Sequence, residues 1–284
     1  MSDRTITAHE AGIVDLGDGL TVHRLGFGAM RITGDEVWGP PDDRRNAIRV
    51  LRRAVQLGVD FIDTADSYGP DVSEELIAEA LHPYPKELVV ATKGGLLRPG
   101  PGEWEPDCRP AHLKEACEGS LRRLRVERID LYQLHTVDPE VPYEESIGAL
   151  EELREEGKIR RIGVSNVGLD ELETARGIVD VASVQNRFNL SDRTSETVLD
   201  RCTELGIAFI PWFPLATGKL ARSVPIRHEA KPAQVALAWL LARSPVMLPI
   251  PGTSNVEHLE ENVAAAGLEL SEQEVERLDR ELPA

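Results

Sequence analysis

The sequence predicts an α/β fold, a (β/α)8 TIM barrel with an N-terminal β-hairpin. Three observations predict it. Eight short apolar runs are spread along the chain, and segments with 3.6-residue periodicity separate them. The length of 284 residues is close to the roughly 250 typical of one α/β barrel. No break in composition divides the chain, so a single domain over residues 1–284 is expected.

The elements follow in order. Residues 12–23 read as two short strands around Asp18-Gly19, because Asp-Gly takes the positive φ angles of a tight hairpin turn. The eight runs are HRLGFGAM (23–30), VDFIDTA (59–65), LVVATKG (88–94), IDLYQLH (129–135), IRRIGVSN (159–166), ASVQNRF (182–188), IAFIPWF (207–213) and VMLPIPG (246–252). Helical periodicity is predicted over 45–57, 73–81, 112–124, 143–156 and 232–242. Gly58, Gly157 and Gly206 stand where helix C-caps turn into the next strand. The Pro- and Gly-rich stretch 98–110, which holds Trp104, is too long for a plain connection and reads as a functional loop. A second irregular stretch covers 215–229. A last helix is expected over 271–282, with Ser271 and Glu274 in capping-box spacing.

Charge and composition exclude several function classes. Lysine and arginine number 32 against 49 acidic residues, so the formal charge is 32 − 49 = −17. Such a chain repels phosphate backbones and anionic lipid, which argues against nucleic-acid and membrane partners. The longest apolar run, 235–242, is far short of the roughly 20 residues of a membrane span. Cys108, Cys117 and Cys202 show no metal-ligand spacing, and a sparse odd count suits a reducing cytoplasm. The first residues are polar and lack an apolar signal core. A monomer or weak homo-oligomer is expected.

Barrels of this kind place their chemistry at the C-terminal ends of the strands. The residues that end the runs are Gly28, Asp63, Lys93, His135, Ser165-Asn166, Gln185-Asn186, Trp212 and Ile250-Pro251-Gly252. An Asp, a Lys, a His and amides converging on one face form an acid–base system once Tyr68, five residues after Asp63, joins them. A tyrosine is a weak acid with a pKa near 10. A neighbouring ammonium is expected to lower it, a carboxylate to fix that ammonium, and a histidine to orient a carbonyl group. Taken singly, each of the four has a plain reading: turn residue, packing tyrosine, solvated strand end, satisfied polar side chain. Together they read as chemistry. Gly26-Phe27-Gly28 begins like a dinucleotide fingerprint, but Arg31 stands at the third glycine and no helix follows, so a Rossmann site is rejected. Without an H-x-H pair or a ligand cluster, a metal-dependent hydrolase is also disfavoured.

The blocks FIDTADSYG (61–69), ATKG (91–94), DLYQLH (130–135), IGVSN (162–166), VQNRFN (184–189) and IPGTSNVEHLEEN (250–262) resemble those of the aldo-keto reductase family, in its order and spacing. The resemblance runs from about Leu25 to Asn262. It implies metal-free, NADP(H)-dependent reduction of a small carbonyl compound, with Tyr68 as general acid, Lys93 and Asp63 as its tuners and His135 as carbonyl orienter. It further implies that Gly28, Ala29 and Met30 floor the nicotinamide, that Ser165, Asn166 and Gln185 meet its carboxamide, and that Trp212 stacks on its ring. Pro214, Leu215, Gly218 and Lys219 would form the pyrophosphate loop, and Ile250, Gly252, Thr253, Ser254, Asn255, His258, Glu261 and Asn262 the adenosine end.

Trp38, Trp104 and Phe188 are candidate substrate-pocket residues. Gly252 and His258 stand where relatives with strong NADP preference often carry Lys and Arg, so NAD(H) stays open; Phe213 replaces a frequent Ser. GFGAM…WGPP and IPGTS are similar to pyridoxal reductase-type members, which points to a pyridoxal-like substrate. The alternative is a non-catalytic, nicotinamide-binding regulatory barrel.

Overall fold

The computed structural model of the chain describes residues 6–218, 220 and 230–281. Lys219 and most of the irregular stretch 215–229 lie outside the described residues.

The hairpin expected around Asp18-Gly19 is present. Strands β1 (Ile13–Asp15) and β2 (Thr21–His23) pair antiparallel, with Val14 opposite Val22. Asp18 and Gly19 take φ of 47° and 69° at its turn. Then follow β3 (Phe27–Gly28), helix α1 (Arg44–Gln56), β4 (Phe61–Asp63), α2 (Val72–Leu81) and β5 (Val89–Gly94). The predicted loop over 98–110 is more ordered than its composition suggests. Its flanks form a small antiparallel hairpin, β6 (Leu96–Leu97) with β7 (Glu105–Pro106). Helix α3 (Pro110–Leu124), β8 (Ile129–Leu134), α4 (Tyr143–Glu155), β9 (Ile159–Ser165), α5 (Leu169–Arg176), β10 (Val181–Arg187), α6 (Glu196–Leu205) and β11 (Ala208–Trp212) complete the alternation. Three helices close the chain: α7 (Pro232–Arg243), α8 (Val256–Val263) and α9 (Glu272–Glu281).

Seven strands form one parallel sheet in the order β11-β10-β9-β8-β5-β4-β3. The eighth apolar run closes the curl. Phe209 N–H donates to Val246 O at 2.9 Å, Leu248 N–H to Phe209 O at 2.8 Å, and Gly26 N–H to Pro249 O at 2.9 Å. This segment therefore bonds β11 on one side and the entry to β3 on the other, as a closed barrel requires.

The helices show why they form. Asp43 caps α1 by accepting from Asn46 N–H at 2.9 Å. Ala47, Val50, Leu51 and Ala54 line its buried face, at the spacing of an amphipathic helix. The parallel strands are buried on both faces, and β5 is buried at every residue. Their side chains alternate between two cores. Ile62, Val90, Tyr132 and Val184 pack outward under the helices. Phe61, Val89, Ala91 and Leu131 point into the barrel, where the hairpin residues Val14, Leu16 and Val22 join them. The hairpin thus plugs the end of the barrel that the strands enter.

The inner wall tolerates no extra atom at Gly163. A Cβ there would lie 2.3 Å from Ser183 Oγ and 2.8 Å from Gln133 Cγ. Gly163→Ala is expected to destabilise the fold by ~1–3 kcal/mol through overpacking. Adding Ser183→Ala should recover part of that loss. Urea unfolding of the single and double variants checks this, and equal midpoints for Gly163→Ala and wild type would refute it.

Candidate active site

The polar cluster grows out of the same inward rows. In β4 the row passes from Phe61 to Asp63, in β5 from Ala91 to Lys93, and in β8 from Leu131 to Gln133 and on to His135. One pleat higher than the apolar filling, each strand therefore delivers a polar group to the barrel interior. Register sets Lys93 level with Gln133, and Asp63 beside Ala91, one pleat below Lys93. Gln185 enters from β10, beyond an irregularity in register between Val181 and Ser183.

Lys93 is fully buried. An ammonium has three N–H donors, and each has an acceptor: Asp63 Oδ2 at 2.7 Å, the Thr64 carbonyl at 2.7 Å and Tyr68 Oη at 3.4 Å. Asp63 Oδ1 accepts from Gln185 Nε2 at 2.8 Å and Gln133 Nε2 at 3.1 Å. The rings of Tyr68 and His135 meet edge to face, centroids 5.8 Å apart. His135 Nδ1 lies 3.3 Å from Ser67 Oγ, and Asn166 Nδ2 donates to the His135 carbonyl at 2.9 Å. Asp63, Tyr68, Lys93 and His135 are thus brought together, as their spacing predicts. Gln133 and Ser67 were not singled out by the sequence reading. The signal for Gln133 was available, since it lies two residues before His135 and shares its row.

Burial decides the protonation states. It raises the Tyr68 phenol above its ordinary value, and the Lys93 ammonium offsets only part of that rise while Asp63 adds to it. The expectation of a lowered pKa is therefore corrected. The ammonium is already neutralised by Asp63, and desolvation of a phenolate is the larger effect. For Lys93, burial works against the charge, yet the charges and hydrogen bonds of Asp63 and Tyr68 outweigh it and leave its pKa raised. His135 is held well below the usual imidazole value by burial and by the Lys93 charge. At neutral pH the site holds a neutral phenol, a charged lysine and a neutral imidazole.

Asp63 and Tyr68 border a cavity of about 540 Å³, within the range of small-molecule sites. Of the candidate cofactor residues, Gly28, Met30, Gln185, Trp212, Pro214, Leu215, Gly218, Ile250, Gly252, Thr253, Ser254, His258, Glu261 and Asn262 line it. Ala29 is fully buried instead, and its carbonyl accepts from Ser73 Oγ at 3.3 Å. Ser165 is buried beside Asn166, whose Oδ1 accepts from Trp212 Nε1 at 3.0 Å. Asn255 caps α8 by accepting from His258 N–H at 3.1 Å. Lys219 lies outside the described residues. Arg31 and Lys231, which the sequence reading did not assign here, also reach the cavity.

The three candidate pocket aromatics fare differently. Phe188 is fully buried, stacked on Trp239 at 5.8 Å and edge-on to Phe209 at 5.9 Å. It belongs to the core under α7, because it continues the outward row of Val184, and its assignment to the pocket is corrected. Trp38 and Trp104 flank Arg98, whose guanidinium lies 3.7 Å from the Trp104 ring centre and 5.6 Å from that of Trp38. Arg98 also donates to the carbonyls of Glu103 (2.8 Å), Val37 (2.8 Å), Glu36 (2.9 Å) and Ser67 (3.3 Å). One side chain thereby ties three loops together next to Tyr68. Gly39 N–H, which donates to Gly69 O at 2.8 Å, adds a further tie.

Comparison with known proteins agrees with this geometry. Residues 24–282 match the Aldo/keto reductase family. The chain belongs to that family. It is 50% identical over 282 residues to an uncharacterised oxidoreductase of Schizosaccharomyces pombe, covering 97% of this chain and 92% of that protein. It is 43% identical over 270 residues to the pyridoxine 4-dehydrogenase of Escherichia coli, covering 91% and 94%. Among solved structures, an aldo-keto reductase from Klebsiella pneumoniae in complex with NADPH superposes with a TM-score of 0.78 at 28% identity, over 93% of this chain and 92% of that one. The family, the barrel with its N-terminal hairpin and the oxidoreductase class are therefore established. Among the described residues there is no group of His, Cys, Asp or Glu suited to a metal ion, and no helix long and apolar enough to cross a membrane.

Arg98 makes a local prediction. Arg98→Lys keeps the charge and loses the planar fork. Amides of residues 34–39 are expected to exchange with solvent about tenfold faster in this variant, the effect of losing roughly one charge-assisted bond. Hydrogen-exchange mass spectrometry reads this directly, and unchanged protection over 34–39 would show that the loops hold without the fork.

Proposed function

We propose that this protein reduces aldehydes or ketones to alcohols with NADP(H), and that Tyr68 donates the proton. One observation carries the reading. The buried Lys93 ammonium lies between Asp63 Oδ2 and Tyr68 Oη, with His135 against the same phenol, at the wall of a nucleotide-sized cavity. NADPH, when bound, supplies the hydride.

The chain's own residues do the rest. Tyr68 Oη accepts from Lys93, so the phenol hydrogen is left to donate elsewhere, towards a carbonyl oxygen in the cavity. As that oxygen gains charge, Tyr68 gives up its proton and the phenolate forms next to the ammonium. The interaction strengthens as charge develops, which is how a fixed cation lowers a barrier. Asp63 keeps the lysine charged and still. A neutral His135 donates an N–H to the same oxygen; Ser67 bonding to Nδ1 favours the tautomer with hydrogen on Nε2.

The cavity suits the cofactor. Gly28 and Gly252 leave bare backbone along its wall, where a Cβ on either would meet a carbonyl oxygen at 2.6 or 2.4 Å. Trp212 offers a ring and Gln185 an amide to the nicotinamide end, and Thr253, Ser254 and the start of α8 offer donors to phosphate.

Pyridoxal is the substrate this reading favours, supported by the 43% identity to a pyridoxine 4-dehydrogenase over nearly the whole chain. Comparing kcat/KM for pyridoxal with that for a panel of simple aldehydes tests it, and no preference would count against it. Small carbonyl substrates, a cytoplasmic location and a single catalytic domain fit the same proposal. A regulatory barrel that binds the nucleotide without turnover is disfavoured by the intact four-residue cluster. NADPH binding with no oxidation across the aldehyde panel would reverse that judgement.

Tyr68→Phe removes the acidic proton and keeps the ring. It is expected to bind NADPH as wild type does and to lose about a thousandfold in kcat. Stopped-flow absorbance at the nicotinamide band separates the two readouts, and retained turnover would show that another group is the acid. The pH dependence follows from the directions found. The Tyr68 pKa is raised, so the phenol stays protonated through neutrality and is lost only as pH climbs above its folded value. Because the His135 pKa is depressed, no imidazole charges as pH falls to about 6. Reduction should therefore run level from about pH 6 to 9 and decline above. Oxidation of the alcohol, which needs the phenolate, should rise over the alkaline range. A reduction profile breaking near 6.5 would assign a titrating histidine to the chemistry instead.

A further inference from the structure

We infer that Arg31 recognises the 2′-phosphate of the nucleotide and gives this protein its preference for NADPH over NADH. The inference rests on the nicotinamide-dinucleotide reading of the cavity.

Position 252 offers no cation, and the structure shows why it cannot. Gly252 packs against Gly28 so closely that a Cβ would stand 2.4 Å from the Gly28 carbonyl oxygen. The reciprocal contact is as tight, since a Cβ on Gly28 would stand 2.6 Å from the Ile250 carbonyl oxygen. Any side chain at 252 would force apart the two segments that close the barrel.

The space beside Gly252 is taken by another side chain. Arg31 follows β3, in the short 3-10 turn Ala29–Ile32, and its Cγ comes 3.7 Å from where a Cβ of residue 252 would be. Its aliphatic stem thus runs along the 252 backbone, and the residue lines the cavity together with Thr253, Ser254 and His258. A guanidinium arriving from the first barrel strand can serve the loop after the last one, because barrel closure makes them neighbours.

Arg31 is also unspent. It is exposed, and among the described residues it has no hydrogen-bond or ion-pair partner. Among the described residues, the other Lys or Arg on the cavity wall, Lys231, is committed to Glu261. The receiving loop is held in place without Arg31. Asn46 Nδ2 donates to the Ser254 carbonyl at 2.6 Å, and Thr253 Oγ1 accepts from Asn255 N–H at 3.1 Å. An unpaired guanidinium beside hydroxyl and backbone donors matches a phosphate dianion, which takes two parallel N–H bonds from Arg.

Direct binding tests this. Wild type, Arg31→Gln and Arg31→Lys are titrated with NADPH and with NADH, following intrinsic tryptophan fluorescence. Losing one charge-assisted contact is expected to weaken NADPH binding about tenfold or more in Arg31→Gln, while the Kd for NADH moves by less than about twofold. Arg31→Lys should keep part of the preference, since charge survives and the fork does not. Added salt should weaken NADPH binding more steeply in wild type than in Arg31→Gln. Equal weakening of both nucleotides would overturn the inference by making Arg31 a pyrophosphate or folding residue, and unchanged Kd values would overturn it outright. Wild type that binds neither nucleotide would overturn the dinucleotide reading and this one with it, whereas tight binding with an unaltered ratio in Arg31→Gln refutes the Arg31 inference alone.

Discussion

The ion pair between Lys93 and Asp63 is the constraint on which the rest of the site depends. Both groups are out of solvent, with Lys93 wholly buried and Asp63 nearly so. Charges in that position cost several kcal/mol each unless every donor and acceptor is matched. The matching recruits residues from much of the barrel: Thr64 and Tyr68 around the ammonium, Gln133 and Gln185 around the carboxylate. Burial, helped by the same positive charge, keeps His135 neutral. The chemistry and the packing of the barrel's upper layer are therefore one problem with one solution.

The outside of the same wall carries a second network. Thr92 precedes Lys93 and faces outward, where its hydroxyl donates to Glu74 Oε1 at 2.5 Å. Glu74 is fully buried and pairs through Oε2 with Arg123 of α3 at 2.6 Å. Arg123 reaches on to Asp71 at 3.1 Å, just before α2. Strand β5 is thus gripped on both faces at adjacent residues. Burial, with Glu74 close by, holds the Asp66 carboxyl well above the usual carboxylate range.

Much of this was legible in the sequence. The eight apolar runs, the Asp-Gly hairpin and the residues ending each strand are local signals, and they locate the barrel and its four reactive side chains. What escaped depended on distance in the chain or on environment. Phe188 is a candidate pocket residue in the sequence, yet its even spacing from Val184, opposite in parity to Gln185, already places it on the outer row. Arg98 sits in a Pro- and Gly-rich stretch and looks like a solvated charge. Its role exists only because residues 36, 37, 67 and 103 converge on it. The Tyr68 pKa was expected to fall because a neighbouring charge can be read from sequence, whereas desolvation cannot. Arg31 was noticed only as an interruption of a glycine pattern, and its relation to Gly252 appears once the first and last runs become neighbours.

The rows of side chains inside the barrel also constrain how such a protein can change. Asp63, Lys93, Gln133 and Gln185 point inward because of odd-or-even position along their strands. Deleting one residue upstream within β5 would turn Lys93 out beneath the helices and bring Thr92 in. The buried ammonium would leave the site with none of the site's residues replaced. Strands can then vary only by substitution, which preserves parity, while insertions and deletions are confined to the loops around the mouth. A lineage of such barrels would keep its buried polar cluster fixed and explore new ligands by changing the lengths of segments like the one that Arg98 clasps.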